Sequence, residues 1–388
     1  MKKTDIHVLS LSYAQELFLE KEQALGDTLI RSIAYSEQIA SYTIIIHTLR
    51  KNRFTPKHLA PDFLILPSNG RSRFHSLLKM YAMADKICSQ HPITLIQSQE
   101  PVFTGLLSLI LKRKHAIPVN VLLYGGNVYD PLWKKQRLLN SISSLLGKYV
   151  LNHADSIQVE GTLIKQSLIS HAMPASKIFV KPMVPHNLEI FSKAAGSGVR
   201  EQLLQNKFEH IILFVGRLIK EKNLAHFLEV FKIVLQTHPA TLLVIIGDGD
   251  QATALQKLAH RLFINKNITW FPHVAHDTLP HYYKAADIFT LFSVSEGFPR
   301  VLMEAAAAGI PIVCSRISGS TDAVDDGQTG FIIPINNMRE CADKIILLLN
   351  DSSLRAKMGN AAPLFIKHIG SFQDNIKKQI DIWQQISK

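Results

Sequence analysis

Two glutamates eight positions apart mark the segment of this chain whose residues are best suited to ligand binding or catalysis. Glu296 and Glu304 are separated by Gly297, Pro299 and the start of an apolar helix. The residues before them, 286–293, are predicted to form a short buried strand that leads into this loop. A helix N-terminus presents free N–H groups and a partial positive charge, so it suits a phosphate or another anion. A carboxylate on each side of such a site could hold sugar or ribose hydroxyls, although two solvated glutamates beside an ordinary loop would show the same pattern.

A basic loop follows another predicted strand, residues 210–215. Gly216 ends this strand, and Arg217 and Lys222 come directly after it. Glycine lets a ligand approach the backbone, while the arginine fork and the lysine point charge both neutralise phosphates. The pattern favours a diphosphate site, but basic loops after strands are also common without one.

Further glycine turns follow the other predicted strands of the second half. Residues 247–250, Gly-Asp-Gly-Asp, could be mistaken for a metal–diphosphate motif. A tight turn with an acid that caps the next helix is the favoured interpretation. Gly247, Gly319 and Gly330 all fall at predicted strand ends, which is the edge where ligands of open α/β sheets bind.

Strand-like apolar runs alternate with helical patterns along most of the 388 residues. This alternation predicts an α/β protein with parallel sheets, and the length favours two domains. We expect two doubly wound, Rossmann-like domains, 1–190 and 191–388, because the polar and Gly-rich segment 191–198 is typical of a hinge. An early example of the pattern is a helix predicted over Thr28–Ala40, followed by a strand over Tyr42–Thr48.

The net charge of +12 is unevenly distributed. Residues 1–190 hold 22 Lys and Arg against 13 Asp and Glu, and the remainder holds 21 against 18. A basic first half could face nucleic acid, an anionic membrane or a phosphorylated substrate, or it could be an ordinary basic surface. Nucleic acid is the weakest of these options and is not expected as a partner, because the sequence shows no aromatic-rich basic motif or recognition module. Two basic stretches, 112–114 beside an apolar helix and 133–137, favour a membrane surface.

Three cysteines, Cys88, Cys314 and Cys341, are scattered without the spacing of a zinc or redox motif. Asp5 and His7 interrupt the apolar residues near the first methionine, so no signal peptide is expected. These features predict a cytoplasmic protein, with a peripheral position on the inner face of a membrane as the variant suggested by the basic half.

The second half resembles the donor-binding domain of the retaining glycosyltransferases of family four, which have the GT-B fold. The matching residues run from Val215-Gly216-Arg217 to Gly330-Phe331-Ile332-Ile333-Pro334, and the glutamate pair is the most specific element. This resemblance implies two domains that face a central cleft, with the first domain on the acceptor side. The residues that it places at the donor are Gly216, Arg217, Lys222, Gly247, Glu296, Gly297, Phe298, Leu302 and Glu304.

The resemblance also assigns roles to these side chains. Arg217 and Lys222 would hold the donor diphosphate, and Glu304 would hold the ribose hydroxyls. Glu296 would contact the donor sugar near the reacting carbon. No metal or cofactor is expected, because cationic side chains and a helix dipole would stabilise the departing diphosphate.

The first half departs from the family pattern. The family often has His-Gly after the strand at 119–123, whereas this chain has Tyr124, Gly125 and Gly126, which we expect on the acceptor side. The apolar spacing of residues 372–386 predicts an amphipathic helix, and the resemblance implies that it crosses back to the first domain.

The resulting hypothesis is a hexosyltransferase-type enzyme that moves a sugar from a nucleotide-diphosphate sugar to an acceptor with retention of configuration. A glycan or lipid-linked acceptor, and a role in cell-surface glycan or lipopolysaccharide synthesis, follow by family analogy. Two alternatives remain open at this point: a GT-B phosphorylase or sugar-nucleotide epimerase, and a weakly catalytic sugar-nucleotide-binding partner protein.

Overall fold

The computed structural model of the chain describes residues 3–19, 27–124, 128–129 and 138–388. These residues divide into two compact units. The first unit contains residues up to Glu160, together with 164–181 and 372–388. The second unit contains 161–163 and 182–371.

The first unit is built on a sheet of eight described strands. In chain order these are β1 (Thr4–Ser12), β2 (Ile39–Ile46), β3 (Lys57–Ala60), β4 (Phe63–Pro67), β5 (Leu95–Ser98), β6 (Val119–Leu123), β7 (Ser156–Val159) and β8 (Ile178–Val180). Their spatial order is β3-β4-β2-β1-β5-β6-β7-β8, with β3 antiparallel to β4 and every other pair parallel. Every residue of β5, β6 and β7 is buried, which is the pattern of parallel strands covered by helices on both faces.

Helices connect these strands. They are α1 (Thr28–Ser36), α2 (Arg73–Gln90), α3 (Phe103–His115), α4 (Leu138–His153) and α5 (Thr162–Ser170). Helix α1 ends before the predicted limit at Ala40, because Ile39 and Ala40 already belong to β2, where Ile39 is fully buried. Burial of these residues in an interior strand of the sheet therefore outweighs their local helical pattern.

The second unit contains a six-stranded sheet whose strands are all parallel. The strands are β9 (His210–Val215), β10 (Thr241–Ile246), β11 (Ile268–Phe271), β12 (Ile288–Leu291), β13 (Ile312–Ser315) and β14 (Gly330–Ile333). Their order is β11-β10-β9-β12-β13-β14. The chain therefore builds outward from β9 in one direction and then in the other, so the sheet has a topological switch point between β9 and β12.

Nine described helices surround this sheet. They are α6 (Glu189–Lys193), α7 (Ser197–Leu204), α8 (Leu224–Thr237), α9 (Ala252–Arg261), α10 (Leu279–Ala285), α11 (Arg300–Ala308), α12 (Ser320–Ala323), α13 (Met338–Asn350) and α14 (Ser352–Phe365). Strands β9 and β10 are buried almost throughout, and Phe227 and Phe231 of α8 are fully buried against them in one continuous core. Because this core fixes the strands of the second unit, it also fixes the positions from which the following loops start.

The last helix, α15 (Phe372–Ile386), belongs to the first unit. Ile376, Ile380 and Trp383 are buried in a cluster with β1 and β2. The Trp383 indole donates a 2.8 Å hydrogen bond to Gln97 Oε1, and its ring lies 5.2 Å from that of Tyr35. The chain thus returns to the first unit after it has completed the second.

The division between the units differs from the expected boundary at residue 190. It lies between Lys181 and Pro182, and the segment 191–198 carries the end of α6 and the start of α7. A Cβ at Gly196 would overlap the backbone of Lys284, so this glycine permits close packing. Arg200 of α7 then donates to Ala285 O at 2.7 Å and to Asp287 at 3.0 Å. Gly196 therefore serves contact within the second unit.

Candidate functional site

The loops after β9 and β10 are joined at the carboxyl edge of the second sheet. Gly216 N–H donates to Ile246 O at 3.0 Å, and Leu218 N–H donates to Asp248 O at 2.8 Å. Gly247 has φ of +142°, and a Cβ there would overlap the Gly216 carbonyl oxygen. Only glycine meets both conditions, so the two loops form one surface with a bare backbone.

Arg217 projects from this surface as an exposed cation. Among the residues that the structure describes, its guanidinium has no hydrogen bond or ion pair. A guanidinium has a fork of donors that matches phosphate oxygens. Arg217 is thus available to an anionic ligand above the end of β9.

Lys222 and Glu296 form a direct ion pair across the switch point. Lys222 ends a short 3₁₀ turn after β9, and Glu296 lies in the loop after β12. The ammonium Nζ donates to Glu296 Oε1, and the two side chains are only 13% and 16% exposed. A Cβ at Gly216 would lie 3.6 Å from Lys222 Cε, so the lysine stem runs beside that bare glycine. Two residues 74 positions apart therefore meet at the place where ligands of such sheets bind.

Ser293 orients the Glu296 carboxylate. Its hydroxyl donates to Glu296 Oε1 at 2.8 Å, and Ser293 itself is fully buried. Its carbonyl accepts a short hydrogen bond from Ser315 at the end of β13. Glu296 is therefore held on one oxygen by a cation and a hydroxyl, which aims the side chain along a defined direction.

Glu304 is oriented by a different partner, the hydroxyl of Tyr283. It lies in the fifth position of α11, is 9% exposed, and accepts a 2.8 Å hydrogen bond from Tyr283 Oη. Tyr283 is fully buried, stacks on Phe289 and meets Phe191 edge to face. Burial and the neighbouring Glu304 charge hold the pKa of Tyr283 well above its usual range, so the hydroxyl remains a donor.

The start of α11 lies beside this pair. Pro299 is the residue before its first turn, and Phe298 is 8% exposed. A Cβ at Gly319, where φ is +76°, would come within 2.6 Å of Phe298 Cδ2, so the loop after β13 packs closely onto this ring. Leu302 was expected at the donor, but its side chain is fully buried in the core and its N–H donates to Pro299 O at 3.0 Å. Leu302 therefore supports the helix from inside.

Asp248 takes the role of a turn-forming acid. Its Oδ1 accepts a 2.8 Å hydrogen bond from Gly249 N–H just before α9 begins. Within the described ranges, no three His, Cys, Asp or Glu side chains cluster closely enough to hold a metal ion. Asp248 is thus explained by the turn.

The acceptor-side residues belong to the first unit. Tyr124 follows β6 and is 44% exposed, whereas Gly125 and Gly126 lie outside the described residues. The stretch 133–137 is also outside them. No helix in the described part of the chain is both long and apolar enough to span a bilayer.

Sequence reasoning missed two residues of the site, Tyr283 and Ser293. Tyr283 lies in an apolar helical pattern that indicates only a buried face. Ser293 follows β12 by two positions and carries no motif. Both support a glutamate from behind, and such a role shows only when the partners are seen together.

Part of the chain is similar to known glycosyltransferases. Residues 199–365 match the family described as glycosyl transferases group 1. The chain is 31% identical over 161 residues to the capsular polysaccharide biosynthesis glycosyltransferase CapM of Staphylococcus aureus, covering 41% of each protein. It is 29% identical over 224 residues to the UDP-Gal:alpha-D-GlcNAc-diphosphoundecaprenol alpha-1,3-galactosyltransferase of Escherichia coli, covering 53% of this chain and 54% of that protein. The chain thus spans about half the length of the curated relatives it matches.

The fold extends over nearly the whole chain. HepE of Anabaena, solved in complex with UDP, superimposes with a TM-score of 0.75 at 16% identity, over 98% of this chain and all of HepE. At that identity the likeness establishes the fold. The two sheets of this chain have the GT-B fold, and its residues 199–365 resemble the glycosyl transferases group 1.

Proposed function

We propose that this chain is a glycosyltransferase that moves a sugar from a nucleotide-diphosphate sugar to an acceptor hydroxyl, with retention at the anomeric carbon. The observation that carries the proposal is the Lys222–Glu296 pair at the switch point of the second sheet, beside the unpaired cation of Arg217. HepE, which shares the fold, was solved with UDP and with UDP-glucose. CapM and the E. coli relative are named as glycosyltransferases of surface polysaccharides or lipid-linked sugars.

The donor diphosphate lies against the bare backbone at Gly216 and Gly247. Arg217 binds it through its free guanidinium, and Lys222 leaves Glu296 to bind a phosphate oxygen. The N–H groups at the start of α11, beside Gly297 and Phe298, add the positive end of the helix dipole. Glu304, held by Tyr283, accepts hydrogen bonds from the ribose hydroxyls.

Glu296 faces the sugar once Lys222 has turned to the phosphate. In the reaction the bond between the anomeric carbon and the diphosphate oxygen breaks, and the electron pair stays on the diphosphate. The acceptor oxygen bonds to the same face of the carbon, and its proton passes to the departing diphosphate. The carboxylate of Glu296 stabilises the positive charge that develops on the sugar, while the two cations stabilise the leaving group. A preorganised charged group that stabilises the transition state in this way contributes a factor of roughly 10²–10³ to turnover.

The proposal does not require a metal, because Arg217, Lys222 and the helix terminus supply the positive charge. Tyr124, with Gly125 and Gly126, contributes to the acceptor side. The acceptor that we propose is a glycan or a lipid-linked sugar of the cell surface, reached at the inner face of the membrane.

Thermal stabilisation by nucleoside diphosphates tests donor binding. A ligand at 100 times its Kd stabilises the folded state by about 2.7 kcal/mol. For a unit of this size that free energy raises Tm by roughly 5–10 °C. UDP, GDP, ADP, CDP and dTDP are compared with and without EDTA. We expect one of them to give this shift in both conditions, and Arg217→Ala to abolish it.

Lys257→Ala is the control, because Lys257 is an exposed cation on α9 of the same unit. It should leave the shift unchanged. If none of the five nucleotides stabilises the protein, or if the two variants behave alike, the proposed donor site is wrong. Transfer is then measured by release of the stabilising nucleoside diphosphate from its sugar conjugates.

A further inference from the structure

Helix α4 of the first unit presents an apolar stripe to solvent. Leu139 and Leu145 are each 71% exposed, Ile142 is 50% exposed and Tyr149 is 41% exposed. Spacings of three and four residues place these side chains on one face of the helix. The stripe extends over the eleven residues from Leu139 to Tyr149, which is about 15 Å along the helix axis. Single exposed apolar residues are ordinary, but a row of four on one helix marks an interaction surface.

The opposite face of α4 is firmly packed. Val150 and Leu151 are fully buried in the core of the first unit. A Cβ at Gly105 of α3 would lie 2.7 Å from Val150 Cγ1, so the two helices are in close contact there. The other side of α4 is therefore already packed in the core. Rotation of the helix could bury the stripe only by exposing those core residues.

Basic residues lie near one end of the stripe. Helices α2, α3 and α4 together carry seven Lys and Arg residues and a single acid, Asp85. That acid is already bonded to Lys114 and His115 of α3. Arg113 donates to Tyr149 Oη at 3.3 Å, which brings a guanidinium to the end of the stripe itself. Its neighbour Lys112 donates to His153 O at 3.1 Å, at the end of α4, and is already paired with Asp155 at 2.6 Å.

We propose that this face binds an anionic lipid bilayer. Helix α4 lies in the plane of the membrane, with Leu139, Ile142 and Leu145 below the headgroups and Tyr149 at their level. Arg113 binds the lipid phosphates from its position beside Tyr149. An apolar row bordered by basic side chains is the pattern of helices that lie in the interface of a membrane. The inference is independent of the proposed reaction, because it uses none of the donor-site residues.

The charge pattern distinguishes a bilayer from a second copy of the chain. A twofold contact would place the same surface on both sides, and the acids near this surface, Asp85 and Asp155, are already paired with lysines. A second copy would therefore give Arg113 no anionic partner, whereas an anionic bilayer offers phosphates beside an apolar layer.

Flotation with lipid vesicles tests the proposal on the full chain. The vesicles are equal parts phosphatidylglycerol and phosphatidylcholine, or phosphatidylcholine alone. The test variant is Leu139→Ser with Leu145→Ser, and its matched control is Phe263→Ser with Leu364→Ser. The control side chains are 89% and 63% exposed and belong to the second unit, so both variants remove two exposed apolar groups without a core defect.

Each leucine withdrawn from the interface should cost about tenfold in partitioning, hence about a hundredfold for the double variant. The control double variant should bind like the wild type. Arg113→Gln should lose about fivefold, and about 1 M NaCl, where the Debye length is about 3 Å, should remove this contribution. The charge control is Arg261→Gln at the exposed end of α9, which should change little.

Three outcomes would overturn the proposal. The first is equal binding of the wild type to neutral and anionic vesicles. The second is undiminished binding of the α4 double variant. The third is a wild-type dimer in analytical ultracentrifugation without lipid that the α4 double variant loses, since this would assign the stripe to self-association.

Discussion

Replacing Glu296 by glutamine should tighten the binding of the nucleoside diphosphate and slow sugar transfer. In the unliganded site Lys222 donates to Glu296 Oε1, so a phosphate must displace that carboxylate before it can bind the ammonium. Glutamine keeps the size of the side chain and can still accept a hydrogen bond from Ser293. It removes the negative charge that competes for Lys222.

The expected gain in nucleotide affinity follows from the solvent exposure of the Lys222–Glu296 ion pair. The side chains are 13% and 16% exposed, so the pair is neither freely solvated nor fully desolvated. Such a pair is worth about 1 kcal/mol at most after solvent screening. Release of this amount on nucleotide binding corresponds to a Kd that is about fivefold lower. Turnover should fall by roughly 10²–10³, because the carboxylate that stabilises the sugar in the transition state is gone.

Isothermal titration calorimetry with the nucleoside diphosphate that gives the largest thermal shift measures the first effect, and nucleotide release measures the second. Glu221→Gln is the control, because Glu221 is an exposed acid in the same turn and changes the net charge equally. It should alter neither quantity by more than about twofold. A Kd that rises fivefold in Glu296→Gln would show that Glu296 aids nucleotide binding, and it would refute competition between Glu296 and the phosphate for Lys222. Unchanged turnover would remove Glu296 from the reaction.

Three further changes test the supports of the two units. Tyr283→Phe removes the donor to Glu304 and should weaken nucleotide binding about tenfold in calorimetry, since hydrogen bonds to charged groups are worth about 1.5–3 kcal/mol; unchanged affinity would refute a positioning role. Gly247→Ala should lower the free energy of unfolding by about 3 kcal/mol or more in urea titration, whereas Gly198→Ala, with open space around it, should not destabilise the protein. Burial holds the pKa of Lys181 well below its usual range, so the unfolded state binds this proton more tightly than the folded state. The difference lowers the free energy of unfolding at neutral pH, and it lowers it less as the pH rises towards about 10.4. Lys181→Met should therefore raise Tm at pH 7 more than at pH 10, and an equal gain at both would contradict this.

Much of the second unit could be predicted from local patterns. Buried parallel strands such as β9 and β10 are unbroken apolar runs, and each ends at a glycine. The rule that ligands bind at the carboxyl ends of such strands then locates Gly216, Gly247 and Glu296 on one edge. The family resemblance implied roles for the side chains, and residues 199–365 match the family described as glycosyl transferases group 1.

Contacts between distant positions could not be predicted in the same way. Lys222 and Glu296 were assigned to phosphate and sugar separately, but the order of the strands brings them into direct contact. Leu302 shows that a residue inside a motif can have its side chain in the core. The glycine at 196 indicated a flexible hinge, yet its missing side chain serves close packing against Lys284. In each case tertiary packing decides the role of a residue type that has several local uses.

The return of helix α15 to the first unit has a consequence for the order of folding during synthesis. Trp383 fills the core between Tyr35 and Tyr42, yet it leaves the ribosome after all of the second unit. Domains usually fold in the order of their synthesis. Here the nascent first unit must wait with an open apolar groove, and the second unit can close its own core earlier. A premature stop before residue 372 would leave that groove without its helix, and the truncated chain would be a substrate for chaperones.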